Sequence, residues 1–162
     1  MTYFTNENNS EYDIETTMPI VVGMQPFAEI WHRPLAYRLR DRINDWQETF
    51  CDEQVITPVV LTDVWVLNHP AYETIPALAV GGPRHNALTA FLTEHLPVIA
   101  AHEDQYLLQM DENAPTLRAC IWGSDPENTQ LAVDLFLENY IDDWMRTIMN
   151  KKQSTSPLPN NH

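Results

Sequence analysis

Glycine, lysine and cysteine are all scarce in this chain, and each scarcity excludes something. Four Gly stand among 162 residues, where average usage of about 7% would place roughly eleven. Each one is therefore expected to do a specific backbone job. Lysine occurs only at Lys151 and Lys152, and nine bases face 23 acids, for a formal charge of -14. Four acids within residues 1–17 and the two lysines near the end leave -12 on residues 18–150. Phosphate-backbone recognition needs clustered Lys and Arg, so no nucleic-acid partner is expected. An anionic membrane surface is disfavoured on the same ground. Two cysteines, Cys51 and Cys120, make no disulfide framework. No apolar run approaches the roughly 18 residues of a membrane span. The acidic, polar start lacks the basic and apolar regions of a secretion signal. Cytoplasmic residence is the expectation.

What is present is a body with 44% hydrophobic residues, enough to build a core. Residues 1–17 show no apolar period and read as a disordered acidic arm, and residues 151–162 read as a disordered tail. Between them, 18–150 reads as one domain. Pro19–Gly23 is a short β-branched run closed by Gly, the pattern of a buried strand. A helix follows Pro26 and restarts at Pro34. Leu35, Leu39, Ile43, Trp46 and Phe50 then mark its apolar face. Pro58–Thr62 is a second strand, drawn on through Val64, Trp65 and Val66. Ala77–Val80 is a third. A helix over Asn86–Leu96 turns Leu88, Phe91, Leu92 and Leu96 inward. Val98–Ala101 and Gln105–Met110 form a hairpin, and Leu117–Trp122 is the last strand. Ser124-Asp125-Pro126-Glu127 supplies a helix cap, an early Pro and a capping-box Glu. Val133, Phe136, Leu137, Tyr140, Ile141, Trp144 and Ile148 form the buried stripe of the final helix. This alternation predicts a three-layer α/β/α sandwich with a mixed, largely parallel, Rossmann-like sheet.

All four Gly follow a predicted strand: Gly23, Gly81, Gly82 and Gly123. Parallel strands gather their carboxyl ends on one edge, where ligands of open α/β sheets bind. Val80-Gly81-Gly82-Pro83-Arg84-His85-Asn86 has the order strand, Gly-rich loop, helix, whose amides favour anions. It has neither the P-loop nor the GxGxxG pattern. Asn86 can cap the helix, and Arg84 can pair with Asp63 or Asp125. The expected site is a small polar or anionic ligand site made by Gly81, Gly82, Arg84, His85, Asn86, Gly123 and Asp125. The alternative is a small hydrolase using Asp63, His85 and Ser124 under the general geometry of a nucleophile, base and orienting acid. His69, His85, His95 and His102, with Asp63, Glu103 and Asp104, lack helical metal-ligand spacing. Neither a metal nor a cofactor is expected. Trp31, Trp46 and Trp144 fall on apolar stripes, and leftover apolar surface is compatible with a homodimer.

The segment Val80-Gly81-Gly82-Pro83-Arg84-His85-Asn86-Ala87-Leu88 resembles the VGGPxxN loop of archaeal S-layer proteins. Downstream, Cys120-Ile121-Trp122-Gly123-Ser124-Asp125-Pro126-Glu127-Asn128-Thr129-Gln130-Leu131-Ala132 resembles their second element of strand, Gly, acidic turn, Thr and Ala. The resemblance covers about residues 77–137. It implies an α/β module of structural or ligand-binding type, not a known enzyme.

Overall fold

The computed structural model describes residues 12–111 and 116–155. Six strands form one sheet in the order β2-β1-β3-β6-β5-β4. They are β1 (Thr17–Val22), β2 (Thr57–Thr62), β3 (Ala77–Val80), β4 (Val98–His102), β5 (Tyr106–Met110) and β6 (Arg118–Gly123). The first three and β6 run parallel, while β5 and β4 add an antiparallel hairpin at the β6 side. Every residue of β1 and β3 is buried, as expected of parallel strands covered on both faces. This is the mixed, largely parallel sheet that the alternation predicts.

Strand residues alternate between two cores because their side chains point to opposite faces. Met18, Ile20 and Val22 join Leu39, Ile43, Phe136 and Trp144 on one face. Val21, Ala79 and Cys120 join Val66, Tyr72, Leu88 and Leu92 on the other. The first layer is made by α2 (Arg33–Phe50), α5 (Pro126–Asn139) and α6 (Ile141–Thr155). The second is made by α3 (Asp63–Leu67), the 3-10 turn Pro70–Thr74 and α4 (Ala87–Leu92). The short α1 (Pro26–Trp31) leads into α2, with His32 between them and Pro34 in the first turn of α2. No helix among the described residues is long and apolar enough to cross a membrane.

Several expected boundaries move, each for a local reason. Regular structure starts earlier than residue 18, at Thr17, which pairs with Thr57. Tyr12 also packs edge-on against Trp65 at 6.1 Å. The remainder of the expected arm, residues 1–11, lies outside the described residues. At the other end α6 continues to Thr155, into the expected tail, whose residues 156–162 likewise lie outside. The second strand does not continue through Val66. Thr62 Oγ1 accepts from the Trp65 amide and Asp63 Oδ1 from the Val64 amide, a side-chain offer that starts a helix instead. The helix after Asn86 stops at Leu92 rather than Leu96. Gln109 on β5 donates to the carbonyls of Thr93 and Leu96, holding the following residues against the hairpin. Phe91 is consequently 58% exposed, not inward. The final helix breaks at Tyr140, whose φ of -124° departs from helical geometry. Trp31 and Phe50 are exposed. Trp46 and Trp144 are buried as expected.

The chain passes from β1 to β2 on one side and then to β3 on the other. The sheet therefore has its topological switch point between β1 and β3, one strand away from β6.

Candidate functional site

Gly23, Gly81-Gly82 and Gly123 come together on the carboxyl edge of β1, β3 and β6. The structure shows what two of them do. Gly81 has φ +102° and its Cα lies against the His32 ring, so a Cβ there would collide with the imidazole. Gly23 receives the His85 carbonyl in close contact, where a Cβ would have no room. The Gly82–Asn86 loop thus presses onto the end of β1 and closes the crevice at the switch point itself.

That loop is held from within. The amides of His85 and Asn86 both donate to the Gly82 carbonyl at 3.0 Å. Asn86 is 1% exposed. Its Nδ2 donates to the carbonyls of Val21 and Val80, at 2.9 and 3.0 Å. Its Oδ1 accepts from the amides of Leu88 and Thr89. The four positions a carboxamide offers are filled, so Asn86 is a structural clasp rather than a ligand group. Asp63 behaves alike: Oδ1 accepts from Val64, and Oδ2 accepts from the Ala87 amide at 2.8 Å. The first three amides of α4 are therefore occupied by Asp63 and Asn86. The expectation that they would hold an anion is corrected.

Beside the closed crevice, between the ends of β3 and β6, a cavity of about 260 Å³ opens. Gly82, Arg84 and His85 line it from one side. Gly123, Ser124 and Asp125 line it from the other. Pro83 and Thr129 contribute as well, and Phe27, His32 and Trp122 add an aromatic wall. Sequence reasoning brought the first six together and missed the last three. Gly81 and Asn86 stand just behind the wall.

The aromatic wall is unusual in its polar atoms. Phe27 stacks on His85 with ring centroids 4.1 Å apart, and His32 meets both rings edge-on at 5.6 and 6.0 Å. The Nδ1 atoms of His32 and His85 and the Nε1 of Trp122 are all buried and have no hydrogen-bond partner. His32 is only 2% exposed. Burial, reinforced by the neighbouring His85, pushes its pKa down to about 4, so its ring is neutral at neutral pH and offers one donor and one acceptor. Arg84 is exposed at the mouth and forms no ion pair among the described residues. The expected pairing with Asp63 or Asp125 is absent.

No hydrogen bond joins Asp63, His85 and Ser124. Ser124 Oγ accepts from Asn128 Nδ2. It is not the helix cap; Asp125 is, accepting from the Asn128 amide at 2.8 Å. Burial pushes the Cys120 thiol up to about 12, which suits a core residue and not a nucleophile. Among the described residues no group of three or more His, Cys, Asp or Glu could hold a metal ion.

His32 left little trace in the sequence. It sits between two short helical patterns, and the glycine that accommodates it is far along the chain. Trp122 was visible only as the last residue of a predicted strand. No protein-family model matches the chain, and no curated protein is significantly similar to it.

Proposed function

We propose that the protein is a non-enzymatic binding module that takes a small polar anion of the carboxylate or phosphate class in the cavity between the ends of β3 and β6. The observation that carries this reading is the convergence of the exposed Arg84 with the His85 and Trp122 rings, whose Nδ1 and Nε1 have no hydrogen-bond partner, at one cavity. Leaving such a group unsatisfied costs about 1–3 kcal/mol, and a bound polar ligand removes that cost. In this reading the Trp122 indole N–H donates to the ligand, and His32 and His85 supply directional hydrogen bonds. Arg84 supplies the charge. Asp125 at the same mouth disfavours a ligand of high negative charge. The volume, below the roughly 300–1,000 Å³ of drug-sized pockets, limits the ligand to a few heavy atoms. A binding or structural role also agrees with what the S-layer resemblance implies. The hydrolase alternative is the weaker one, because Asp63 is bonded to two backbone amides and does not orient His85.

Isothermal titration with sodium acetate and with inorganic phosphate tests the reading. The expected result is saturable 1:1 binding of at least one of them, weakened about tenfold or more in Arg84→Ala, as for loss of a charged hydrogen bond. Binding that Arg84→Ala leaves unchanged would remove Arg84 from the site. A homodimer belongs to the same proposal: Ile30 and Trp31 on α1 are exposed, and Trp31 lies beside Gln130 of α5. Light scattering that gives one chain's mass at micromolar concentration would count against it.

A further inference from the structure

A second cavity, of about 510 Å³, lies beneath α3 and α4, at the opposite end of β6 from Trp122. Its lining includes Val66, Leu88 and Leu92, which are buried, and Leu67 and Phe91, which are exposed. Arg118, the first residue of β6, also lines it. A six-residue strand spans about 17 Å, so Arg118 and Gly123 mark opposite edges of the sheet. The cavity is separate from the one at Trp122.

Arg118 is the anomaly here. It is 7% exposed. One guanidinium nitrogen, Nη2, donates to the Tyr72 carbonyl. Its Nε is buried without a partner. No carboxylate pairs with it among the described residues. A buried guanidinium is almost always matched by an anion, because burying an uncompensated charge costs several kcal/mol. Burial accordingly pushes the Arg118 pKa down, and Glu73, on the same cavity wall, acts in the opposite direction without forming an ion pair. Arginine does not lose its proton under such conditions. The group remains a cation at a cavity whose other lining is mostly apolar, with Glu73, His95, Asp111 and Thr116 among its polar residues.

We propose that this cavity binds an aliphatic or aromatic monocarboxylate, with the carboxylate on Arg118 and the apolar body against Leu88, Phe91 and Leu92. A single carboxylate is the matching head group, since it presents two oxygens to the planar donor array of a guanidinium. A polyanion would meet Glu73 and Asp111 at the same wall. A neutral apolar molecule would leave the Arg118 charge unmatched. The exposed Phe91 and Leu67 form the apolar entrance that such a tail would cover.

The test is calorimetric titration of the full chain with octanoate and with 1-octanol, which share a tail length and differ in the head group. Octanoate is expected to bind 1:1 and about tenfold or more tighter than 1-octanol. Phe91→Ser, at an exposed position, should weaken both ligands. Arg118→Gln should abolish the preference for the acid. If circular dichroism shows that Arg118→Gln does not fold, the acid–alcohol comparison and Phe91→Ser decide alone. Equal affinities for acid and alcohol would overturn the proposal, as would octanoate binding untouched by Phe91→Ser. Loss of octanoate binding in Arg84→Ala would assign the acid to the cavity at Trp122 and would also overturn it. Failure of acetate and phosphate to bind at Trp122 leaves this result unaffected.

Discussion

His32 is the residue on which the candidate site turns. Its ring fills the space that the missing side chain of Gly81 leaves, and the positive φ of Gly81 is what brings the backbone there. Gly81→Ala therefore meets a steric collision and an unfavourable backbone region together. A loss of about 2 kcal/mol or more is expected in urea denaturation, and a variant as stable as the parent would contradict the packing described. The buried imidazole also makes stability depend on pH. Its pKa in the folded chain, about 4, lies below the 6.5 of an ordinary histidine. As pH falls, the unfolded chain takes up the proton first. The residue has no effect above about pH 6.5, costs stability between there and about pH 4, and costs no more below that. Between pH 7 and 4.5 the difference amounts to about 2–3 kcal/mol. His32→Gln should lose that much less than the parent over the same interval. Equal losses would show that the ring is not held neutral. None of this was legible in the sequence, where His32 is one of six scattered histidines. Its environment comes from Phe27, Gly81 and His85, which only the folded sheet brings together.

At the scale of elements, the Asn86 clasp explains why the Gly-rich loop has a fixed shape. One side chain ties the ends of β1 and β3 to the start of α4. Asn86→Ala leaves two amides and two carbonyls short of a partner in a buried place. It should destabilise the fold by about 2–4 kcal/mol, visible as a lower midpoint in thermal unfolding. A drop within experimental error would mean that the loop is held by something else. The capping role was readable, because Asn before an apolar helical pattern is a strong local signal. The two bonds to the strand carbonyls were not, since they depend on which strands are neighbours. The same contrast separates β3 from α3. Ala77–Val80 is apolar throughout and flanked by Pro and Gly, so local pattern settles it. Val64-Trp65-Val66 has equal β propensity, yet the side chains of Thr62 and Asp63 capture the next amides and turn the chain into a helix.

For the molecule as a whole, the acidic surface and the glycine-marked edge have different standing. The charge of -14 sets expectations about partners and builds no site. The edge carries a cavity, displaced by one strand from the switch point, because the Gly82–Asn86 loop fills the place where an α/β sheet commonly holds its ligand. Sequence order showed which edge to inspect. The displacement follows from the His85 carbonyl resting on Gly23, a contact between loops that no local pattern announces. The length of β6 separates the Trp122 cavity from the Arg118 cavity, so the two are expected to act independently. Octanoate and acetate together should raise the unfolding temperature about as much as the sum of their separate effects.

The most direct test follows the five tryptophan indole N–H signals by nitrogen-15 NMR while sodium acetate or inorganic phosphate is added. Trp122 is the one tryptophan among the described residues lining this cavity, and its Nε1 has no hydrogen-bond partner. Its signal should move saturably with at least one of the two anions while those of Trp31, Trp46, Trp65 and Trp144 stay nearly still. The shift should largely vanish in Arg84→Ala. A Trp122 signal that neither anion moves, or one that moves identically in Arg84→Ala, would contradict the assignment of this cavity as an anion site.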